Sequence, residues 1–283
     1  MFDFETYWDD SGTHEGAAIA VAACYVATSE QWKEFVRNWD EARSEEGFDV
    51  FHMADFMAKA ELGIKPYCDW SREKKRHVYF RLASIINARA RFGWIFGVPV
   101  AAFNRHAPDR FRKELSSDPF IFAVQTVLAL IAEWRARYAA GKAVQYVFED
   151  RRGMAKIRQL WELFKEWPEG AEMCGTLPNS PDGLTFQSPR VIKPLQAADI
   201  LAWNGHAHLR GQIAHDPKEK PPSAKPYLDV LWDRRPLRVG LMTEIQVKEA
   251  FEKFQKEEEE KGKRPYLLPS RMLKALAKAA DKK

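Results

Sequence analysis

From Phe2 to Trp8 apolar and polar residues alternate, the period of a half-buried strand, until Asp9-Asp10-Ser11-Gly12 introduces a run of turn formers. Ala17 to Thr28 continues with small and β-branched residues, so the two segments predict a hairpin. The period then changes. Ser29 to Ser44 places Trp32, Phe35, Val36 and Trp39 on one helical face, and Arg72 to Arg91 does the same with Val78, Leu82, Ile85 and Ile86. Between these helices Phe48 to Phe56 is short and mixed. Phe92 to Phe103, aromatic and β-branched, reads as a third strand, and Pro119 to Tyr138 as a strongly apolar helix opened by proline. Lys142 to Phe148 predicts a fourth strand, Gly153 to Trp167 an amphipathic helix, and Leu184 to Ile192 a fifth strand. That last strand leads directly into a helix beginning at Pro194.

With a helical insertion at about 29–91 set aside, the order is strand, strand, strand, helix, strand, helix, strand, helix. This predicts an α/β fold, a ribonuclease H-like mixed five-stranded sheet flanked by helices. Its start is antiparallel, and its later strands are parallel and joined by crossover helices. Residues 1–211 form this domain, and 212–226, rich in Pro and Lys, read as a linker. Residues 227–283 read as a helical C-terminal extension, with helical segments from Tyr227 to Lys256 and from Pro269 to Ala280.

Composition narrows the possible functions. The chain has 283 residues, 46% hydrophobic and 30% charged, the profile of an ordinary globular protein. No apolar run reaches the roughly 18 residues of a membrane span, and the best candidate, Ala17 to Ala27, is strand-like and short. No basic segment followed by an apolar one opens the chain. Cys24, Cys68 and Cys174 are widely separated, which argues for a reducing compartment and against a cysteine metal site. The expectation is a cytoplasmic protein with no membrane partner. The net charge of +4 does not by itself mark a nucleic-acid binder, although the chain turns basic after Glu257 to Glu260. P-loop, Gly-x-Gly-x-x-Gly and Gly-x-Ser-x-Gly patterns are absent.

The chemistry rests on carboxylates. Leu195, Ala198, Leu201 and Ala202 recur at helical spacing, and Asp199 sits inside this apolar face with Gln196 a turn earlier. A carboxylate placed there requires a donor, a cation or a proton. Asp9 and Asp10 end the first strand and Glu149 and Asp150 end the fourth. In the expected sheet those strands are neighbours, with the last helix packed near their ends, so acids distant in sequence converge. Like charges that close repel, and all-oxygen ligands favour a hard ion, Mg²⁺ or Mn²⁺. Two such ions activate a water and stabilise the leaving oxygen of a phosphodiester.

Two motifs resemble a known family. Asp9-Asp10-Ser11-Gly12 is similar to the Asp-Glu-Ser-Gly motif of the DUF3800 proteins, an uncharacterised family with a ribonuclease H-like fold. Leu195-Gln196-Ala197-Ala198-Asp199-Ile200-Leu201-Ala202 resembles that family's Leu-Gln-x-Ala-Asp-hydrophobic-hydrophobic-Ala motif. Phe51-His52-Met53-Ala54-Asp55-Phe56 is similar to a segment that some members carry in between. The resemblance spans about residues 1–211. It implies Asp9, Asp199 and either Glu149 or Asp150 as ligands. Asp10 stands where the motif has Glu, one methylene shorter.

The sequence thus predicts a metal-dependent nuclease acting on RNA or DNA by a two-metal mechanism. Asp9 bridges the ions, Glu149 and Asp199 complete the shells, Asp10 and Asp150 are further candidate ligands, and His52, three residues from Asp55, is an extra ligand or, like Asp10, assists proton transfer. Lys193, Arg151, Arg152 and Gln196 border the site as candidate substrate contacts, while Trp70 and Trp203 are candidates to stack on bases. The rival expectations are a non-catalytic nucleic-acid or protein-binding module on this fold and a transposase-like phosphoryl transferase.

Overall fold

The computed structural model describes residues 2–114, 117–151, 153–166, 183–213, 226–232 and 236–261. The first alternation becomes β1 (Phe4–Ser11) and the second β2 (Ile19–Thr28). At Thr28 the strand turns into α1 (Ser29–Glu46) through a capping box. The Thr28 hydroxyl accepts from the Gln31 amide, and the Gln31 side chain accepts from the Thr28 amide. After the short α2 (Met53–Met57) and two 3₁₀ turns come α3 (Arg72–Arg89) and β3 (Phe92–Pro99). Next are α4 (Val100–His106), α5 (Asp109–Glu114) and α6 (Pro119–Tyr138), the last capped by Asp118. The order ends with β4 (Val144–Glu149), α7 (Ala155–Lys165), β5 (Leu184–Gln187), α8 (Pro194–Ile213), α9 (Pro226–Trp232), β6 (Leu237–Leu241) and α10 (Glu244–Lys261).

The protein is an α/β fold built on a six-stranded mixed sheet in the order β5-β4-β1-β2-β3-β6. β1, β2 and β3 are antiparallel, whereas β4, β5 and β6 each run parallel to their neighbours. Strand alternation divides the core between the two faces. Phe4, Trp8, Cys24, Trp94 and Phe148 pack against α6, α7 and α10. Tyr7, Val21, Tyr25, Ile95 and Val147 pack against α1, α3, α8 and α9.

Three expectations need correction. The third strand stops at Pro99, which has no N–H for the ladder, and residues 100–103 are helical. The fifth strand stops at Gln187, where the Ser188 carbonyl accepts the Val191 and Ile192 amides in a turn. The sheet has six strands rather than five, because residues 237–241, read as helical extension, pair parallel with β3. Gly240 permits this approach: a Cβ there would lie 2.6 Å from the Phe96 ring. The segment after 226 therefore belongs to the core, with Phe251 stacked on Phe122 at 4.9 Å between centroids. α6 is long and apolar enough to cross a membrane, but 78% of that window is buried inside the protein. Its uninterrupted run is shorter than a span, because Glu133, Arg135 and Arg137 break its end. The linker at 214–225, the helix expected at Pro269 to Ala280 and the basic tail lie outside the described residues.

Candidate functional site

β1 and β4 run parallel and in register through Trp8 and Phe148, so the next residues, Asp9 and Glu149, come side by side. Two positions back, Tyr7 and Val147 face the α8 side, and alternation turns Asp9 and Glu149 the same way. α8 crosses β1 and β2 on that face, bringing Asp199 to Asp9. Asp9 is only 9% exposed, and the Asp199 side chain 17%.

The three carboxyls perturb one another. Burial, above all, pushes Asp9 well above the usual carboxylate range. The charges of Asp199 and then Glu149 push the same way, against a weaker downward pull from Arg151. Burial also raises Asp199, opposed by His52, by the Met53 amide and by a hydrogen bond from Asp9. Glu149 is raised by burial and then by Asp199, with His52 opposing. A carboxyl-to-carboxyl hydrogen bond requires a proton, so Asp9 and Asp199 titrate as one unit with the proton on Asp9.

The segment between β2 and β3 closes the site through two grips on α8. Gln196 Oε1 accepts the Phe51 amide at 2.9 Å and the Trp39 indole N–H at 3.0 Å, while its Nε2 donates to the Pro189 carbonyl at 2.7 Å. One turn later, Asp199 Oδ2 accepts the Met53 amide at 2.6 Å. His52 is held between the two gripped amides. Its Nδ1 lies 3.3 Å from Asp55 Oδ2, and its Nε2 lies 3.8 Å from Asp199 Oδ1. The ring is 53% exposed at the open side of the acids.

Other expected site residues fall elsewhere. Asp10 points to the opposite face of the sheet, where Arg151 pairs with it and Thr13 Oγ1 donates to it at 2.6 Å. It joins neither the acid cluster nor proton transfer there, because successive strand residues face opposite ways. Asp150 is exposed, with only its backbone engaged, to the Gln187 carbonyl, so Glu149 is the β4 acid that meets Asp199. Gln196 is fully buried and its amide is occupied by protein partners, which removes it from substrate contact. Arg151 is engaged with Asp10 and lies over the Phe120 ring, 5.9 Å from its centroid. Lys193 Nζ donates to the Arg190 carbonyl at 2.5 Å. Arg152 lies outside the described residues. Trp70 packs edge-on against Phe56 and Tyr67, and Trp203 is half-buried against the core of its face. His206 lies against the β1–β2 turn: a Cβ on Gly12, whose φ is +72°, would sit 2.8 Å from its Nε2 and 2.1 Å from the Ile19 carbonyl. The turn therefore requires glycine.

Sequence reasoning missed two elements of this arrangement, the grip of Gln196 and the Met53 amide, whereas the three-residue spacing of His52 and Asp55 already placed that pair together. The helical spacing of Gln196 and Asp199 carried a signal, but their partners lie about 150 residues away in the chain. The donor set, three oxygen acids, suits a hard divalent ion, and Arg151, the arginine that acts on Asp9, is itself engaged with Asp10. Among the described residues, no three His, Cys, Asp or Glu side chains stand in a ready-made cage. Asp9 and Asp199 are instead drawn together by their shared proton.

No family model matches this chain, and no curated protein is significantly similar to it.

Proposed function

We propose that this protein is a divalent-metal-dependent nuclease with a ribonuclease H-like core. One observation carries the reading: acids from β1, β4 and α8 meet, and burial raises all three above their ordinary range, joined at Asp9 by the charges of Asp199 and Glu149 and at Glu149 by the charge of Asp199. Such a cluster is costly for the fold and of use to a site that takes up positive charge. The order β5-β4-β1-β2-β3, with three antiparallel strands followed by parallel ones, supports the ribonuclease H-like assignment, to which β6 is an addition. The resemblance of the Asp9-Asp10-Ser11-Gly12 and Leu195 to Ala202 segments to DUF3800 proteins supports it too.

In this reading Asp9, Asp199 and Glu149 hold Mg²⁺ or Mn²⁺. The ion, when bound, supplies Lewis-acid activation of a water and neutralises charge on the phosphate. The chain contributes the rest. Asp9 gives up the proton it shares with Asp199, so uptake of a cation releases a proton. The Met53 amide fixes one Asp199 oxygen and leaves the other facing the site. Arg151 holds Asp10 on the far face, which keeps a fourth negative charge out of the cluster. The substrate is nucleic acid, RNA or DNA.

The test is incubation of labelled RNA and DNA with Mg²⁺, Mn²⁺ or EDTA, comparing wild type with Asp9→Ala and Asp199→Ala. Metal-dependent cleavage that each substitution lowers a hundredfold or more supports the proposal, a loss beyond the roughly 10–100-fold seen when only an outer partner of a metal ligand is removed. Cleavage insensitive to EDTA or to the substitutions overturns it. Binding without cleavage under every metal points to the non-catalytic module, and strand-transfer products to the phosphoryl transferase.

A further inference from the structure

We infer that His52 is a ligand to the ion of this site, oriented by Asp55, and that its nitrogen makes the site selective for Mn²⁺ over Mg²⁺. The inference rests on the metal-site reading above and assigns a residue and an ion preference that the three acids alone do not.

The argument is geometric. The backbone on either side of His52 is gripped by α8, through Phe51 to Gln196 and Met53 to Asp199, so the ring is anchored over Asp199 by main-chain bonds. Its two nitrogens face carboxylates at different distances. Nδ1 is 3.3 Å from Asp55 Oδ2, close enough to orient the ring. Nε2 is 3.8 Å from Asp199 Oδ1, too far for a hydrogen bond. Metal–ligand bonds of about 2.0–2.2 Å put neighbouring ligands of one ion about 3 Å apart and opposing ones about 4 Å apart. The separation of Nε2 and Oδ1 lies between these limits. A ligating histidine characteristically has a carboxylate beside its other ring nitrogen, and Asp55 Oδ2 lies 3.3 Å from Nδ1 of His52.

Selectivity follows from ligand chemistry. Mg²⁺ favours oxygen ligands and retains its waters, whereas a nitrogen ligand is better tolerated by first-row transition ions, and of the two ions considered Mn²⁺ is the one that combines it with a carboxylate-rich shell. Asp55, on the same turn of α2, acts on the ion through the ring and is a positioning residue.

The experiment reads binding, not turnover. Full-length protein is titrated with Mn²⁺ and, separately, Mg²⁺, and the Mn²⁺-loaded protein is examined by pulsed electron paramagnetic resonance for hyperfine coupling to a directly bound nitrogen. The expected result is nitrogen coupling in wild type that disappears in His52→Gln. Mn²⁺ affinity falls about 10–100-fold in that variant, with Mg²⁺ affinity nearly unchanged. Asp55→Asn weakens Mn²⁺ about tenfold and keeps the coupling. Circular dichroism of both variants establishes that they are folded. Mn²⁺ bound by wild type without nitrogen coupling overturns this inference alone, as does an equal loss of both ions in His52→Gln. Wild-type protein that binds neither ion overturns the metal-site reading as well.

Discussion

Two buried carboxylate regions of this molecule meet the same penalty and resolve it in opposite ways. Glu46, at the end of α1, has a side chain only 5% exposed. Burial pushes its carboxyl up, but hydrogen bonds from Lys74 and Arg81, joined by the charges of Lys74 and His77, outweigh this and bring it to about 2. All three partners come from α3, so this ion network ties the first helix of the insertion to the last. The charge also sits at the C-terminal end of a helix, where the dipole disfavours an anion, and so it has added need of cations. At Asp9, Asp199 and Glu149 burial is the largest influence, and the opposing pulls of Arg151 on Asp9 and of His52 on Asp199 and Glu149 do not overturn it. Among the described residues, Lys74 and Arg81 hold down the acid that joins two helices, whereas the acids where β1, β4 and α8 meet stay raised despite Arg151 and His52. A fold under selection for stability alone would neutralise both.

The comparison can be broken at either end, and the substitution expected to change stability most is at Glu46. Glu46→Ala removes a buried acceptor shared by three cations. Because those cations are partly exposed and can return to water, the loss is about 2 kcal/mol rather than the roughly 3–5 typical of a fully buried pair. The folded pKa, about 2, lies below the reference value of 4.5. The contribution is therefore complete above 4.5 and disappears as pH falls through about 2. Urea denaturation of both proteins across that range checks the magnitude and the sign, and a difference that persists unchanged at low pH would refute the ionic explanation.

The opposite sign is expected at Asp199. Its folded pKa lies above 3.8, so the wild-type group contributes its stability below that value and loses it as pH rises through the raised one. Asp199→Asn keeps an oxygen to accept the Met53 amide and removes the repulsion. In EDTA near neutral pH it should stabilise the protein, with the gain fading on acidification. A clear destabilisation near neutrality would make Asp199 a structural anchor instead. Adding Mn²⁺ should stabilise wild type, by about 2.7 kcal/mol at a hundred times Kd, and leave the variant unaffected.

The smallest effect is expected at Asp10. Asp10→Asn retains the Thr13 contact and loses the Arg151 charge, which is partly exposed, so stability falls by about 1 kcal/mol or less. Mn²⁺ affinity, followed in the same titration, should not change. A fall as large as that of Asp9→Ala would place Asp10 in the site despite its orientation.

Much of this was legible before any coordinates. The alternation of Phe4 to Ser11, the capping residues Thr28 and Asp118 and the apolar periods of α3, α6 and α8 are local, so they announce their elements in the chain itself. The period of two even carried the distinction between Asp9 and Asp10, since adjacent strand residues cannot serve one face. β6 was not legible. Its five residues lie between segments of helical composition, and a parallel edge strand is specified by the partner it joins rather than by its own pattern.

The site divides along the same line. Residue types and local spacing determined that Asp9, Glu149 and Asp199 each end or line an element where an acid is out of place. Only the tertiary structure decided that they meet, that Asp10 belongs to Arg151 and that Gln196 grips the Phe51 amide instead of a substrate. The physical reason is range. Helical and strand periods act over a few residues and are written in the order of the chain, whereas the field at a carboxyl depends on whichever charges and amides folding brings near it, here from more than a hundred residues away.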